Sequence, residues 1–139
     1  MKKETYDLLC APLPFHTRPG AGGTMKYPYV KGDDVVKKLN EAFLCNWSSK
    51  IIYHEKVESE IVVLLELSVT DGSEVISHQA FGSGQFETAA KVGKVGNAYK
   101  AAVTDAIKKA AELFGVGLAL EPEETLGPNI VSAPKVNMQ

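Results

Sequence analysis

The chain has 139 residues, 45% of them hydrophobic, which suffices for one core of ordinary size and points to one domain. Fifteen basic residues against 17 acidic ones leave a formal charge of −2, a balance that disfavours a dedicated, strongly basic nucleic-acid binder. No apolar run approaches the roughly 18 residues of a membrane span, residues 1–7 lack the apolar core of a signal peptide, and Cys10 and Cys45 have no metal-like spacing, so an intracellular, reduced chain is expected.

Residues 1–28 hold four of the seven prolines (Pro12, Pro14, Pro19, Pro28) and the run Gly20-Ala21-Gly22-Gly23, a composition that opposes regular structure and reads as an arm. Asp33 is placed to cap a helix over 34–43, in which Val35, Leu39, Ala42 and Phe43 recur at helical spacing. Three strand-like runs follow, 47–57, 61–69 and 74–81, rich in Ile, Val, Leu and aromatic residues. Asp71-Gly72 is a two-residue hairpin signal, because both central positions of that turn want positive φ, so the second and third runs should pair antiparallel.

In the second run Ile61, Val63, Leu65, Leu67 and Val69 share one face, while Val62 and Leu64 stand with Glu66 and Ser68 on the other. A strand so apolar on both sides wants two covers, the second from a neighbouring subunit or from the arm. Gly82-Ser83-Gly84 lacks the Lys-Ser/Thr of a phosphate loop and reads as a bend or bulge. Asn97 is positioned to cap a longer helix running to about Phe114, with Gly115 as its left-handed stop. Its buried stripe is expected to be Tyr99, Ala102, Val103, Ala106, Ile107, Ala110, Leu113 and Phe114, with Lys100, Thr104 and Lys108 in a row opposite, flanked by Lys109 and Asp105. From Glu121 onward, clustered acids and prolines without periodicity predict a mobile tail.

What attracts a phosphate backbone is the local field on one face, and the charge here is unevenly spread. Residues 88–111 hold Lys91, Lys94, Lys100, Lys108 and Lys109 against the single acid Asp105. On base rates such lysines are a solvated helix face. Lys91 and Lys94 read equally as linker charges or as an outer strip for a second strand. Lys50, His54 and Lys56 alternate along the first strand and read as basic surface or as ordinary exposed strand face. Tyr29, Trp47 and Tyr53 carry rings able to stack on bases, but a lone tryptophan at a strand start is better read as core. His16, His54 and His78 lack metal spacing, and no activated nucleophile or magnesium-binding carboxylate cluster is visible, so no catalytic residue, metal or cofactor is expected.

The run from Ala98 to Gly115, AYKAAVTDAIKKAAELFG, resembles the signature helix of Rad52 family single-strand DNA annealing proteins, in which an Ala-Val-Thr-Asp core precedes a basic pair and a Phe-Gly stop. A second block, YVKGDDVVKKLNEAF from Tyr29 to Phe43, followed by Trp47-Ser48, resembles the same family, so the likeness covers roughly 29–118 in the family's order. The chain is similar to members of the bacterial or phage type, and Phe15, His16 and Arg18 after Ala-Pro-Leu-Pro add a weaker likeness to DdrA-like DNA-end protectors. The resemblance implies that Lys108 and Lys109 are phosphate ligands in a single-strand groove; beside them, Lys31, Lys100, Lys91, Lys94 and Lys56 are the further candidate DNA-binding residues. Asp34 and Glu112 depart from the pattern, standing where the better studied eukaryotic members carry DNA-associated arginines.

The expected architecture is α+β: an arm over 1–28, an annealing domain over 29–120 built of a short helix, a three-stranded antiparallel sheet and a long helix packed on it, and a tail over 121–139. The resemblance adds a homo-oligomeric ring or helical filament. The expected function is ATP-independent annealing of single-stranded DNA in recombination or repair, with a single-strand binding protein or a recombinase as further partners and no membrane. An end-protecting or recombinase-loading module that anneals poorly is the first alternative. A small enzyme or a non-nucleic-acid oligomer sharing only the layout is the second.

Overall fold

A computed structural model describes residues 1–19, 26–85 and 95–122. In chain order the elements are α1 (Lys3–Cys10), β1 (Leu13–Pro19), β2 (Lys26–Tyr29), α2 (Gly32–Phe43), β3 (Trp47–Val57), β4 (Glu60–Asp71), β5 (Glu74–Gln85), α3 (Val95–Glu112) and β6 (Leu120–Pro122). They form two three-stranded sheets: β3-β4-β5, antiparallel throughout, and β2-β1-β6, in which β1 pairs antiparallel with β2 and parallel with β6. The α+β class, the antiparallel sheet and the long helix packed on it are as the sequence predicts.

The core lies on one face of β4. Ile61, Val63, Leu65, Leu67 and Val69 are all fully buried there, because the period-2 alternation of the strand turns every odd residue toward the helices. Val35, Leu39 and Phe43 of α2 and Leu9 of α1 meet them. Fully burying a side chain of this size stabilises by roughly 1.5–3 kcal/mol, so this one strand supplies a large part of the driving force.

The other face behaves differently. Tyr53, Leu64 and Phe81 stand directly opposite one another across β3, β4 and β5, and the next rows are Lys50-Glu66-Gln79 and Ser48-Ser68-Ser77. Tyr53 is 48% and Phe81 56% exposed, and the N-terminal elements expected as cover pack instead on α2 and β6.

The strand edges correct two readings. The β4–β5 turn has Gly72 and Ser73 at its centre, because Asp71 already pairs with Glu74, and positive φ is found only at Gly72. In β3 a bulge at Ile52 shifts the register between Ile51 and Tyr53. Lys50 therefore faces outward opposite Glu66, while His54 and Lys56 face the helix side opposite Val63 and Ile61, so the three do not share a face. The His54 Nδ1 to Tyr99 hydroxyl contact of 3.2 Å, reaching α3, marks the inner side.

Helix α3 crosses β4 and β5 on a stripe of small residues, Ala98, Ala102, Ala106 and Ala110, each at the i, i+4 spacing that puts side chains above one another. The glycines that sequence reads as a bend belong to β5, pairing with Val63 and Ile61, and they face this stripe. A Cβ on Gly82 would lie 2.3 Å from the Ala106 nitrogen and 2.4 Å from the Ala102 carbonyl oxygen, and one on Gly84 2.3 Å from the Ala98 carbonyl oxygen. The helix backbone thus rests on the strand backbone, which is the close approach that glycine in a strand permits.

The first end of α3 shifts from expectation and the second keeps its predicted glycine stop. It is already helical at Val95, so Asn97 lies inside its first turn and is not a cap. At the other end the Gly115 N–H donates to the Glu112 carbonyl (2.9 Å) and the Val116 N–H to the Ala111 carbonyl (3.1 Å), the paired bonds of a Schellman stop, with Gly115 at φ +107°. The stop turns Phe114 and Val116 into the core and leaves Leu113, expected inside, 57% exposed; Ala98 and Ala111 are buried in its stead.

Most of the described residues before Pro28 have regular structure after all. Its prolines fit because Pro14 and Pro19 lie in β1 and Pro28 in β2, short strands of a small sheet. Glu121 and Pro122, read as tail, complete that sheet as part of β6. Asp33 is in the first turn of α2 and Lys31 holds the cap position without a side-chain capping bond. The α2–β3 corner carries Leu44 and Cys45 at φ 53° and 66°, and the Trp47 indole N–H donates to Asn40 Oδ1 at 2.6 Å, so Trp47 serves this corner and packs on the core.

Candidate nucleic-acid interface

The polar side of α3 faces the entry to α2. Lys108 reaches from the helix to donate to the backbone carbonyl of Val30 at 3.0 Å, tying α3 to the β2–α2 junction. Two cavities, of about 360 and about 320 Å³, share Tyr29, Val30 and Lys108 in their walls, so this bond borders both. The first continues along Lys31, Gly32, Asp33 and Thr104, the second along Asp105, Lys109 and Glu112. Gly32 brings the junction close to α3, because a Cβ there would stand 2.6 Å from Thr104 Cγ2 and the Thr104 side chain would have to turn aside.

Three of the seven sequence-predicted DNA ligands therefore come together: Lys31, Lys108 and Lys109. Lys100 is exposed on the same helix two turns away, roughly 12 Å along the axis. Lys56 is on the helix-facing side of β3 and lines neither cavity. Lys91 and Lys94 lie outside the described residues.

Neither lysine of the basic pair has a bare ammonium. Lys109 Nζ is 2.9 Å from Asp105 Oδ2, an i, i+4 ion pair, and the same oxygen accepts the backbone N–H of Ser83 at 3.0 Å. Asp105 thus joins three things: its own helix, the free edge of β5 and the Lys109 charge. Lys31, Lys108 and Lys109 are matched by Asp33, Asp105 and Glu112, so the walls carry no net charge. The Asp105–Lys109 spacing was a legible signal for the pair; nothing local announced the Val30 carbonyl or the Ser83 N–H as partners.

Asp34 stands just beside this wall, half-buried, with His16 Nε2 3.9 Å from its Oδ2. Removal from water raises its pKa above the ordinary carboxylate value, despite the nearby charges of Lys37, His16 and Lys31. Among the described residues no group of three or more His, Cys, Asp or Glu side chains is arranged to hold a metal ion, and no helix is long and apolar enough to cross a membrane.

A family model for Rad52/22 family double-strand break repair proteins matches residues 10–128. The chain belongs to that family. No curated protein matches the chain. Membership of the Rad52/22 family gives the chain a role in DNA repair and recombination, and the matched stretch contains both cavities and every lysine named above. It also takes in β1 and β2, so the N-terminal sheet lies within the family match and not outside it.

Proposed function

We propose that this Rad52/22 family chain binds single-stranded DNA in the groove between α3 and the β2–α2 junction and anneals complementary strands without nucleotide hydrolysis. The observation that carries the reading is the convergence of Lys31, Lys108 and Lys109, from two separate elements, on two cavities that share a wall. Ammonium groups make charge contacts that ignore base identity, which is what annealing of arbitrary strands demands. The N-terminal end of α2 opens on the same cavity and adds the positive end of a helix dipole, which favours a phosphate there. Lys100 extends the track along α3, and the Tyr53-Leu64-Phe81 row gives several copies a reason to assemble, since an apolar row across a whole sheet wants cover.

The test is a fluorescence annealing assay without ATP beside a direct single-strand binding measurement and sizing. Lys109→Ala should weaken binding and flatten the slope of log affinity on log salt by about 0.7, the contribution of one single-strand phosphate. Unchanged binding sinks the groove assignment, and an ATP requirement sinks the passive mechanism. A specific observation favours a second reading: the charge balance of the groove suits a module that holds strands or ends weakly and serves to protect them or load a recombinase. Binding without annealing in the same assay selects it.

A further inference from the structure

Asp105 faces a conflict. It lies in a groove read as a phosphate track, yet it is an anion, and it holds Lys109, a half-exposed basic side chain of that wall. Lys108 is committed to the Val30 carbonyl, a backbone acceptor that would be left without its donor if the ammonium moved away. Lys109 is different: its side chain is 52% exposed and its partner is a carboxylate at 2.9 Å on the same helix, an arrangement worth little in water and open to exchange. The carboxylate itself is fixed independently, because Oδ2 also accepts the Ser83 N–H at the β5 edge, 3.0 Å away.

We propose that Asp105 is a positioning residue that aims Lys109 and competes with DNA for it: a phosphate of the bound strand takes the place of the carboxylate, which stays tethered to Ser83 and takes Lys109 back when the strand leaves. The proposal rests on the groove reading above. Its value for an annealing protein is reversibility, since a strand held by uncontested ammonium groups is slow to be released as duplex. The exchange breaks one charge-assisted hydrogen bond and makes another, so the cost of each step stays small, and the Ser83 tether keeps the competing oxygen at a fixed reach.

The neutral isostere separates the two roles of this carboxylate. Asp105→Asn keeps an oxygen for the Ser83 N–H and removes the competing charge, so single-strand binding by the full chain should tighten about threefold at low salt, and the gain should shrink as salt rises. The same substitution in a Lys109→Ala background should give half that gain or less, because only competition for Lys109, and not the field of the carboxylate, is then missing. An equal gain in both backgrounds means that Asp105 acts by repulsion alone and overturns the exchange. A loss of binding together with a lower thermal midpoint means that it merely holds α3 to β5, and also overturns it. If Lys109→Ala alone leaves binding unchanged, the groove reading itself has failed, a result distinct from either of these.

Discussion

The two sides of α3 follow opposite rules. Toward the sheet, Ala98, Ala102 and Ala106 rest on Gly82 and Gly84 with backbone against backbone, and the space for one more carbon does not exist. Toward the groove, Lys108, Lys109, Asp105 and Glu112 meet solvent and one another through contacts that salt and substitution can tune. One side of the helix fixes where the lysines stand, and the other decides how strongly they act. A change on the first side should therefore be felt as stability, and a change on the second as affinity.

The sharpest way to break this contrast is Gly82→Ala. The new methyl would meet the Ala106 nitrogen and the Ala102 carbonyl at under 2.5 Å, and neither is the yielding end of a side chain, so α3 must lift from β5. Overpacking a filled core costs 1–3 kcal/mol in general, and here about 3 kcal/mol or more is expected, read as a lowered urea midpoint. A variant as stable as the parent would show that the seam has slack and that the two sides are not so different.

The groove side is sharpened by Glu112→Arg. Glu112 is exposed and lines the second cavity beside Lys109, so the exchange turns a charge-balanced wall basic without touching the core. Single-strand binding should tighten, with the salt slope steeper by about 0.7 if the guanidinium takes one phosphate, and stability should move by less than about 0.5 kcal/mol. A stability change comparable to that of Gly82→Ala, with no steeper slope, would put Glu112 on the wrong side of the helix.

Much of the sheet side was legible in the sequence because hydrophobic periodicity is a local signal. The odd residues of β4, the apolar face of α2 and the Gly115 stop are where their spacing puts them. What failed there needed information from elsewhere in the chain. Gly82 and Gly84 look like a bend until a helix backbone lies on them, and Ile52 moves His54 and Lys56 to the inner face through a bulge that no residue type announces. The proline content of the N-terminal stretch argues against regular structure in isolation, whereas short strands of a small sheet accept it. On the groove side, the sequence points to the lysines and to the i, i+4 pair of Asp105 and Lys109, but not to the long-range backbone partners. The Val30 carbonyl is 78 residues from Lys108, and the Ser83 N–H 22 residues from Asp105.

The smallest expected effect concerns Asp34, which belongs to neither side cleanly. It sits in the first turn of α2, where the helix dipole favours an anion, but burial disfavours its charge and its pKa is raised. A carboxyl with a raised folded value binds its proton more tightly in the native state than in the unfolded one. Its contribution to stability is therefore best below the ordinary carboxylate range and declines as pH rises through the folded value, above which the penalty is constant. Asp34→Asn should accordingly be slightly more stable than the parent at pH 7, and the two melting curves should converge as the pH is lowered into the carboxylate range. The His16 ring 3.9 Å away is the natural competitor. If the variant is less stable at pH 7, attraction to His16 and to the helix dipole outweighs burial, and Asp34 counts with the residues that hold the fold.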